Sequence, residues 1–422
     1  MLLSDFPRNA RNMVMFEPLW SIFGGVLIFY LPLYMRDVGL SDIQIGIVNT
    51  IGLFMSFIFF IIGAPLTNKY GRKRTTFIGD MVSWGMPMLI WAIARNFWYF
   101  VAAAAINSMV KIVFVSWNSL LIEDTPKEKR SRIYAILNII NTANGIFTLI
   151  AGLIISKFGT VSTMRVIFAT GCVSMIIMFI IRNAIVDETK AGLQLMEQHK
   201  EYSLLDSLKS YSGNLLSIFK ESANIKFAVI FCLMSFISSF NIFQVLYLNE
   251  RLKISEASVS LAPGVNSVLS ILIYIVVTKK LARHSDHRLL TISLTVCFIG
   301  SIVFIMIPQG SIPVFLIAMS MLTIGNSFTQ AYLTATFMNV LREHEQADGY
   351  SGMLALMTLA GIPSAYLAGL LYATSPVLPF ILNSILFAAI TILSFAVGKN
   401  TPMRTFKGDP QNGNCQKCSQ NT

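Results

Sequence analysis

Runs of about 20 consecutive apolar residues recur along the chain and restrict it to one class of fold. Each run can cross about 30 Å of hydrocarbon as an α-helix that rises 1.5 Å per residue. In a bilayer only helices and closed β-barrels satisfy their own backbone, and these runs lack the alternating pattern of barrel strands. Only 13% of the 422 residues are charged, against roughly a quarter in soluble domains. The sequence therefore predicts an all-α polytopic membrane protein.

We predict twelve transmembrane spans. They cover residues 13–35, 43–66, 75–94, 97–122, 132–156, 163–182, 224–248, 257–278, 289–307, 312–340, 348–373 and 377–397. The first span is interrupted early by Glu17 and Pro18 and is not followed by a small-residue cleavage site, so we do not expect a cleavable signal peptide. An even number of spans places both termini on one side of the membrane.

The net charge of +11 is explained by this topology. Most of the 32 Lys and Arg residues fall on the side of the N-terminus, as the positive-inside rule requires if both termini are cytoplasmic. We therefore expect a multi-pass protein of the cell membrane whose charged partner is the anionic inner leaflet of the lipid bilayer, and no nucleic-acid partner.

The chain divides into two halves. We predict an N-terminal six-helix bundle (1–183), a cytoplasmic linker with an amphipathic helix (184–223), a C-terminal six-helix bundle (224–397) and a disordered cytoplasmic tail (398–422). Residues 128–154 align without gaps on 345–371, including Glu128 with Glu345 and Gly152 with Gly369. Duplicated halves with a binding site between them are a transporter architecture.

The loop after the second span reads Leu66-Thr-Asn-Lys-Tyr-Gly-Arg-Lys-Arg74. It resembles the Gly-x-Leu-x-Asp-Arg-x-Gly-Arg-Arg signature of the major facilitator superfamily, although Ala64 replaces the first glycine and Asn68 replaces the aspartate. The resemblance implies two pseudo-symmetric six-helix bundles and a loop that latches one face of the transporter. The residues assigned to this cytoplasmic gate are Asn68, Lys69, Gly71, Arg72 and Lys73, with Glu123, Asp124 and Arg130 as gate partners. The alternative is a basic loop that only anchors the chain by the positive-inside rule.

One lysine lies in the middle of the fourth span. Lys111 is deep in the apolar run 101–122, where an ammonium costs roughly 2.5 to 3.5 kcal/mol on the gentle insertion scale. At about 100° per residue, Asn107 and Asn118 fall close to it on the helix surface and form a polar stripe. The stripe predicts a wet cavity, and the resemblance agrees, because the fourth helix lines the central cavity in this superfamily. The alternative is a structural ion pair.

Two carboxylates are candidates for proton coupling. Glu17 either caps the first helix before Pro18 or is a protonatable group that faces the cavity. Asp80 lies near the inner end of the third span, where it is also available as an acidic partner of the basic loop. The four histidines fall in predicted cytoplasmic segments, so we do not expect an imidazole relay.

The remaining polar residues of the predicted cavity are uncharged amides. With Lys111, Asn107 and Asn118, the substrate-binding candidates are Asn138, Asn141, Gln244, Asn326 and Gln330. Each amide can instead be an interhelical hydrogen bond worth about 0.6 kcal/mol on average. This set predicts a small organic solute with an anionic group that contacts Lys111.

We expect a secondary active transporter that works by rocker-switch alternating access, with proton coupling as a hypothesis. Multidrug efflux by proton antiport is the first alternative, and a non-transporting sensor or lipid-handling protein of the same fold is the second. No nucleotide loop, HExxH pattern or nucleophile elbow occurs, so we expect no enzyme, no cofactor and no metal, and we expect a monomer. The pair Cys415 and Cys418 lies in the polar tail and is half a zinc site at best.

Overall fold

The computed structural model describes residues 5–198, 222–270, 286–340 and 346–398, which are helical apart from short connections and contain no strand. The long helices are Arg8–Asp37, Asp42–Tyr70, Phe97–Asn107 with Val110–Ile122, Lys127–Thr142 with Asn144–Phe158, Thr160–Ile185, Ser222–Phe240, Asp286–Ile305, Ile312–Val340, Gln346–Thr374 and Leu378–Gly398. In these ranges ten helices are long and apolar enough to cross a membrane. The prediction of an all-α polytopic chain is confirmed.

The remaining two predicted spans are also helical where the structure describes them. Span three consists of Arg72–Asp80, a π-helical turn Met81–Gly85 and Met86–Ala92. Span eight begins with Glu256–Val259 and continues through residues 261–270 to the edge of a described range. Span seven, which starts as Ser222–Phe240, is extended by turns that end in a π-helical segment Tyr247–Arg251. Twelve spans are consistent with these elements.

Span one begins at Arg8, earlier than hydropathy predicts. The Nδ2 atom of Asn9 donates to the carbonyl oxygen of Asp187 at 2.9 Å, and that of Asn12 donates to the carbonyl oxygen of Ile185, also at 2.9 Å. These amides satisfy backbone carbonyls at the end of span six. The polar first turns are therefore stabilised by contacts between helices that a hydropathy window does not detect.

The linker between the halves contains a helix, Lys190–Gln198, that the sequence analysis does not predict. The amphipathic helix expected from Leu204 to Ile218 and the tail that carries Cys415 and Cys418 lie outside the described residues. The domain boundaries remain predictions.

The hydrophobic core shows that the two halves meet at one face of the molecule. We call this the distal face: it carries connections 38–41, 93–96, 252–255, 306–311 and 375–377, opposite the face that carries the N-terminus. One buried cluster joins residues of both halves, among them Tyr34 and Phe168 with Phe243 and Tyr372. Two separate clusters lie toward the N-terminal face, one in each half. The packing between the halves is therefore concentrated on the distal side.

Hydrogen bonds between described residues of the two halves also lie at the distal face. Arg36 Nε donates to Glu250 Oε1 at 2.8 Å, and Arg36 also pairs with Asp42. Thr160 Oγ1 donates to Glu256 Oε1 at 3.5 Å.

Small residues allow the backbones of the two halves to approach closely. A Cβ atom at Gly46 of span two would lie 3.0 Å from the carbonyl oxygen of Ala365 and 3.1 Å from Cα of Gly369, both in span eleven. A Cβ atom at Gly152 of span five would lie 2.3 Å from Cβ of Ser260 in span eight. Packing of this kind is a main source of helix association in lipid. The distal side of the seam is closed in this structure.

The substitution Gly152→Ala tests this closure. Moving a 2.3 Å contact to the ordinary 3.5–4.0 Å requires a displacement of about 1 Å or more. We expect a larger population of long distances between spin labels at Ser156 and Arg251, measured by pulsed electron paramagnetic resonance in a cysteine-free background.

The matched control is Gly264→Ala on the opposite side of the same seam, where the nearest atom to an added Cβ is 3.7 Å away. The control should leave the distance distribution of the parent protein unchanged. Identical distributions for both variants would contradict closure by backbone contact at Gly152.

Candidate functional site

Span four is broken next to Lys111. The helix Phe97–Asn107 ends and a second helix starts at Val110. At the break, the hydroxyl of Ser108 donates to the carbonyl oxygens of Gly52 and Ala104, each at 2.7 Å. The break therefore fixes span four against span two at Ser108, two residues before the second helix begins.

The ammonium of Lys111 has no ion pair or hydrogen bond with any residue in the described ranges. Its side chain is half-buried. The backbone around it packs against Gly63 of span two, where an added Cβ would lie 3.5 Å from the carbonyl oxygen of Lys111. A buried charge is ordinarily paired or hydrated. Lys111 is thus a half-buried cation that has no partner in the described part of the chain.

The two amides predicted to flank Lys111 have protein partners. Asn107 Nδ2 donates to the carbonyl oxygen of Ser83 in span three at 2.7 Å. Asn118 Nδ2 donates to the carbonyl oxygen of Phe114 at 2.7 Å, and its Oδ1 accepts from the hydroxyl of Tyr134 at 3.3 Å. The helix is interrupted at Ser108. The angle per residue of a regular helix therefore does not predict how Asn107 and Lys111 are placed around the helix axis.

A cavity of about 340 Å³ lies where spans one and five meet span eight, between the two halves. We call it the seam cavity. Its polar lining includes Asn141, Asn144, Asn266 and Ser270. The Oδ1 atoms of Asn144 and Asn266 are buried without a hydrogen-bond partner in the described part of the chain. The side chain of Asn138 is not among those that the structure describes.

A second cavity of about 300 Å³ lies inside the second half and is referred to below as the inner cavity. It is lined by Asn241, Gln244, Asn266, Ser301, Phe304, Met319, Leu322, Thr323, Asn326, Ser327, Phe380, Asn383 and Phe387. Of the predicted binding residues it contains Gln244 and Asn326. Gln330 is exposed on span ten and does not line it. The structure thus brings Gln244 and Asn326 together, while Lys111 lines neither cavity.

The sequence analysis missed Ser301 and Asn383 as lining residues of the inner cavity. Asn383 Nδ2 donates to Asn241 Oδ1 at 3.0 Å, whereas its own Oδ1 is buried without a partner among described residues. A single amide in the apolar run 377–397 was the available signal. Its direction depends on how span twelve packs, which the sequence does not specify.

A cluster of charged side chains lies inside the first half. Arg182 of span six pairs with Asp80 of span three, and both side chains are buried. Glu17 of span one is half-buried and interacts electrostatically with both of them. Breaking a buried ion pair by removing one partner costs about 3–5 kcal/mol. Asp80 is therefore held in a structural ion pair. Of the two candidates for proton coupling, Glu17 is the one that has no ion-pair partner within the described ranges.

Arg182 is a further residue that the sequence analysis missed. It is the last basic residue of span six and was counted with the cytoplasmic charges. The signal for this pair was the carboxylate of Asp80, which lies two helical turns inside span three. A carboxylate at that depth needs a cation as its partner, and none was assigned to it. Asp80 therefore does not serve as the acidic partner of the basic loop.

The loop after span two is tied to its own half. Arg72 is buried and donates from Nε to Glu123 Oε1 and Oε2 at 3.1 and 3.2 Å, and from Nη2 to Oε1 at 3.1 Å. Glu188 Oε2 accepts from the backbone N–H of Lys73 at 2.9 Å. Thr189 donates to Glu123 and caps the helix Lys190–Gln198 by accepting from the N–H of Gly192 at 2.9 Å. The loop and this helix form one hydrogen-bonded unit.

The other predicted gate residues are less engaged. Asp124 is exposed, and Asn68 and Lys69 are half-exposed without a hydrogen bond or ion pair in the part of the chain that the structure describes. Arg130 Nε donates to the carbonyl oxygen of Thr125 at 3.0 Å. Glu188 and Thr189 were not predicted as partners of the loop. Glu188 is 115 positions from Lys73 in the sequence, and only the folded structure brings the two residues together.

Gly71 makes this unit possible. Its φ of +86° ends span two, in a region where a Cβ is strained. An added Cβ would also lie 2.6 Å from Glu188 Oε2 and 2.7 Å from Met196 Sδ. Gly63, next to Ala64, lies at the close approach of spans two and four, where an added Cβ would lie 3.3 Å from Cα of Ile112.

Comparison with known proteins supports a family assignment. The family model described as Major Facilitator Superfamily matches residues 20–365, most of the chain. The protein belongs to the major facilitator superfamily. The predicted superfamily fold is thereby confirmed, and the helices of the described ranges are consistent with two six-helix bundles. A sequence comparison with curated proteins finds no match.

Solved structures of superfamily transporters have the same fold. The crystal structure of the nucleoside transporter NupG has a TM-score of 0.69 at 13% identity, covering 93% of this chain and 99% of that one. A POT family transporter in complex with a thioalcohol-conjugated peptide has a TM-score of 0.69 at 12% identity, with 94% and 99% coverage. A bacterial homologue of the iron transporter ferroportin in an inward-facing state has a TM-score of 0.69 at 12% identity, with 92% and 98% coverage. At these identities the likeness shows the fold alone.

The substitution Gly71→Ala tests the contact between the loop and the helix Lys190–Gln198. Besides the cost of a non-glycine residue at positive φ, the methyl group must displace Glu188 and Met196. We expect a lower melting temperature and faster proteolytic cleavage around residues 188–198.

Gly159→Ala is the matched control, because Gly159 has a φ of +82° and no atom within 4 Å of an added Cβ. It carries the backbone strain of about 1 kcal/mol or more without the displaced contact. Equal effects of the two substitutions on stability and cleavage would show that the helix does not hold the loop.

Proposed function

We propose that this protein is a secondary active transporter that moves a small organic solute across the membrane by rocker-switch alternating access. The observation that carries the proposal is the asymmetry of the seam: hydrogen bonds and backbone contacts close its distal side, and a cavity lined in part by amides of both halves lies between them. A carrier must close one side of its site while the other is accessible. If the charge bias sets the orientation, the structure represents an inward-facing state of a cell-membrane protein with both termini in the cytoplasm.

In this mechanism the chain changes its shape and forms no covalent intermediate. The first half carries the unit formed by Arg72, Glu123, Glu188 and Thr189, which keeps the N-terminal face of that half rigid. The second half moves against it about the distal contacts, and opening of the distal face requires separation of Arg36 from Glu250. The pair is partly exposed, so its separation costs little in water.

We further propose that Lys111 contacts an anionic group of the solute. Its ammonium has no carboxylate within 4 Å in the described ranges, and charge in a membrane span is retained where it serves an ion or substrate pathway. The neutral amides of the seam and inner cavities would hold the remainder of the solute. A monomer is sufficient for this mechanism, because each chain contains both halves.

The substitution Lys111→Gln should weaken anion binding with little loss of stability, because no partner is left unpaired. We expect organic anions that raise the melting temperature of the wild-type protein to bind at least about tenfold more weakly, which is about 1.4 kcal/mol. The measurement is a thermal-shift titration followed by uptake of the same anions into reconstituted vesicles.

Lys157→Gln is the control, because Lys157 is an exposed lysine at the end of span five. Unchanged anion binding in Lys111→Gln would remove Lys111 from the site. Absence of solute flux in vesicles would instead favour the non-transporting sensor or lipid-handling protein, and uptake restricted to hydrophobic cations would favour multidrug efflux.

Proton coupling, if present, is proposed to use Glu17. The substitution Glu17→Gln should abolish accumulation of solute driven by a pH gradient but preserve downhill exchange, because the carboxamide cannot carry a proton. The measurement compares both activities in vesicles, with Asp187→Asn as a control at an exposed carboxylate that pairs with Arg8 on the surface. Transport that is independent of the pH gradient in the wild type and in Glu17→Gln alike would exclude coupling.

A further inference from the structure

The inner cavity lies within the second half, behind the seam. Spans nine and twelve contribute Ser301, Phe380 and Asn383 to its wall, together with residues of spans seven, eight and ten. Its volume of about 300 Å³ is at the lower end of the range for pockets that hold small ligands. It adjoins the seam cavity at Asn266, which lines both cavities.

The chemistry of this wall is selective. No residue that lines the inner cavity carries a charge. Amide groups dominate its polar surface, and the Oδ1 atoms of Asn266 and Asn383 are buried without a partner in the described ranges. A buried acceptor without a donor is unfavourable. Both atoms would be satisfied by a ligand that donates hydrogen bonds.

The same kind of acceptor continues into the seam cavity. Asn266 lines both cavities, and Asn144 Oδ1 in the seam cavity is also buried without a partner among described residues. Amide acceptors therefore follow one another from the seam, through Asn266, to Asn383 inside the second half. Asn266 is the residue that the two cavities share.

Aromatic rings provide the apolar part of the inner cavity. Phe304 and Phe380 pack with their ring centroids 5.0 Å apart, and Phe387 completes this side of the wall. Ring faces stack on flat or C–H-rich ligand surfaces. A wall that combines amide acceptors with aromatic rings suits a cyclic compound that has hydroxyl groups on its edge and an apolar face.

We propose that the inner cavity is a binding site for a neutral, hydroxyl-bearing ring, such as a cyclic polyol or the sugar of a nucleoside, and that the transported solute carries such a ring. Asn383 and Asn266 accept its hydroxyl hydrogens, and the phenylalanine rings cover its apolar face. This inference rests on the proposed transport function and extends it, because recognition of the ring does not require Lys111.

The test uses the full-length protein with uridine, glucose and myo-inositol as neutral probes, and measures dissociation constants by thermal-shift titration. At least one probe should bind the wild type and Lys111→Gln with equal affinity. Asn383→Leu should weaken that binding at least about tenfold. Thr323→Val, which removes a hydroxyl from the same wall and keeps the side-chain shape, should weaken it severalfold.

Ser384→Ala is the matched control, because Ser384 follows Asn383 in span twelve, bonds to its own helix at Phe380 and does not line the cavity. It should bind the probe as the wild type does. If Asn383→Leu does not fold, as judged by circular dichroism and size-exclusion chromatography, Thr323→Val decides the test.

Two results would overturn the inference: binding of none of the three neutral probes, or equal binding by the folded cavity variants and the wild type. Its failure is distinguishable from failure of the proposed function. If the flux of organic anions persists in Asn383→Leu, the protein is a carrier that does not depend on this site. Neutral binding without flux of any solute would leave the site in a protein that does not transport.

Discussion

The absence of water in the hydrocarbon region determines most of this structure. Polar groups in the spans must find partners inside the protein, and the structure shows how completely this is done. Arg182 and Asp80 pair in the first half, Asn107 bonds to the backbone of span three, and Asn12 bonds to the end of span six. The polar groups without partners in the described ranges therefore indicate where a ligand or water is expected. Among them are the ammonium of Lys111 and the amide oxygens of Asn144, Asn266 and Asn383. Other buried atoms without a partner in these ranges are the hydroxyls of Tyr30, Thr75, Ser83, Thr163 and Tyr372 and the Nε of Arg165.

The second constraint is close packing between the two halves. Because lipid is as apolar as the helix surfaces, association in the membrane depends on fit, and glycine at Gly46, Gly152 and Gly369 gives a close fit. These contacts lie on the distal side, where an ion pair between Arg36 and Glu250 adds to them. The separate hydrophobic clusters toward the N-terminal face hold each half together without joining the two. The halves can thus tilt as units.

Much of the fold follows from the sequence, because its signals are local. Apolar run length predicts the spans, and the loop Leu66 to Arg74 with its glycine predicts the superfamily. The hydrogen-bond and ion-pair partners of polar side chains follow less well from the sequence, since they depend on which helices are neighbours. Arg182 lies at the end of its span and was assigned to the surface, although span packing places it against Asp80. The break at Ser108 likewise results from a hydrogen bond to Gly52 on another helix. The inner cavity is lined by residues of five spans, so a polar stripe on any one helix does not predict it.

The central claim is that the distal contacts separate during every transport cycle. The direct measurement is solute flux in vesicles that contain the double variant Arg36→Cys and Glu250→Cys, joined by a short, cleavable bifunctional thiol reagent in a background without other cysteines. The account predicts that flux stops when the two residues are linked and recovers when the link is cleaved, while each single variant is unaffected by the reagent. Full flux with the link quantitatively formed would contradict alternating access through this face.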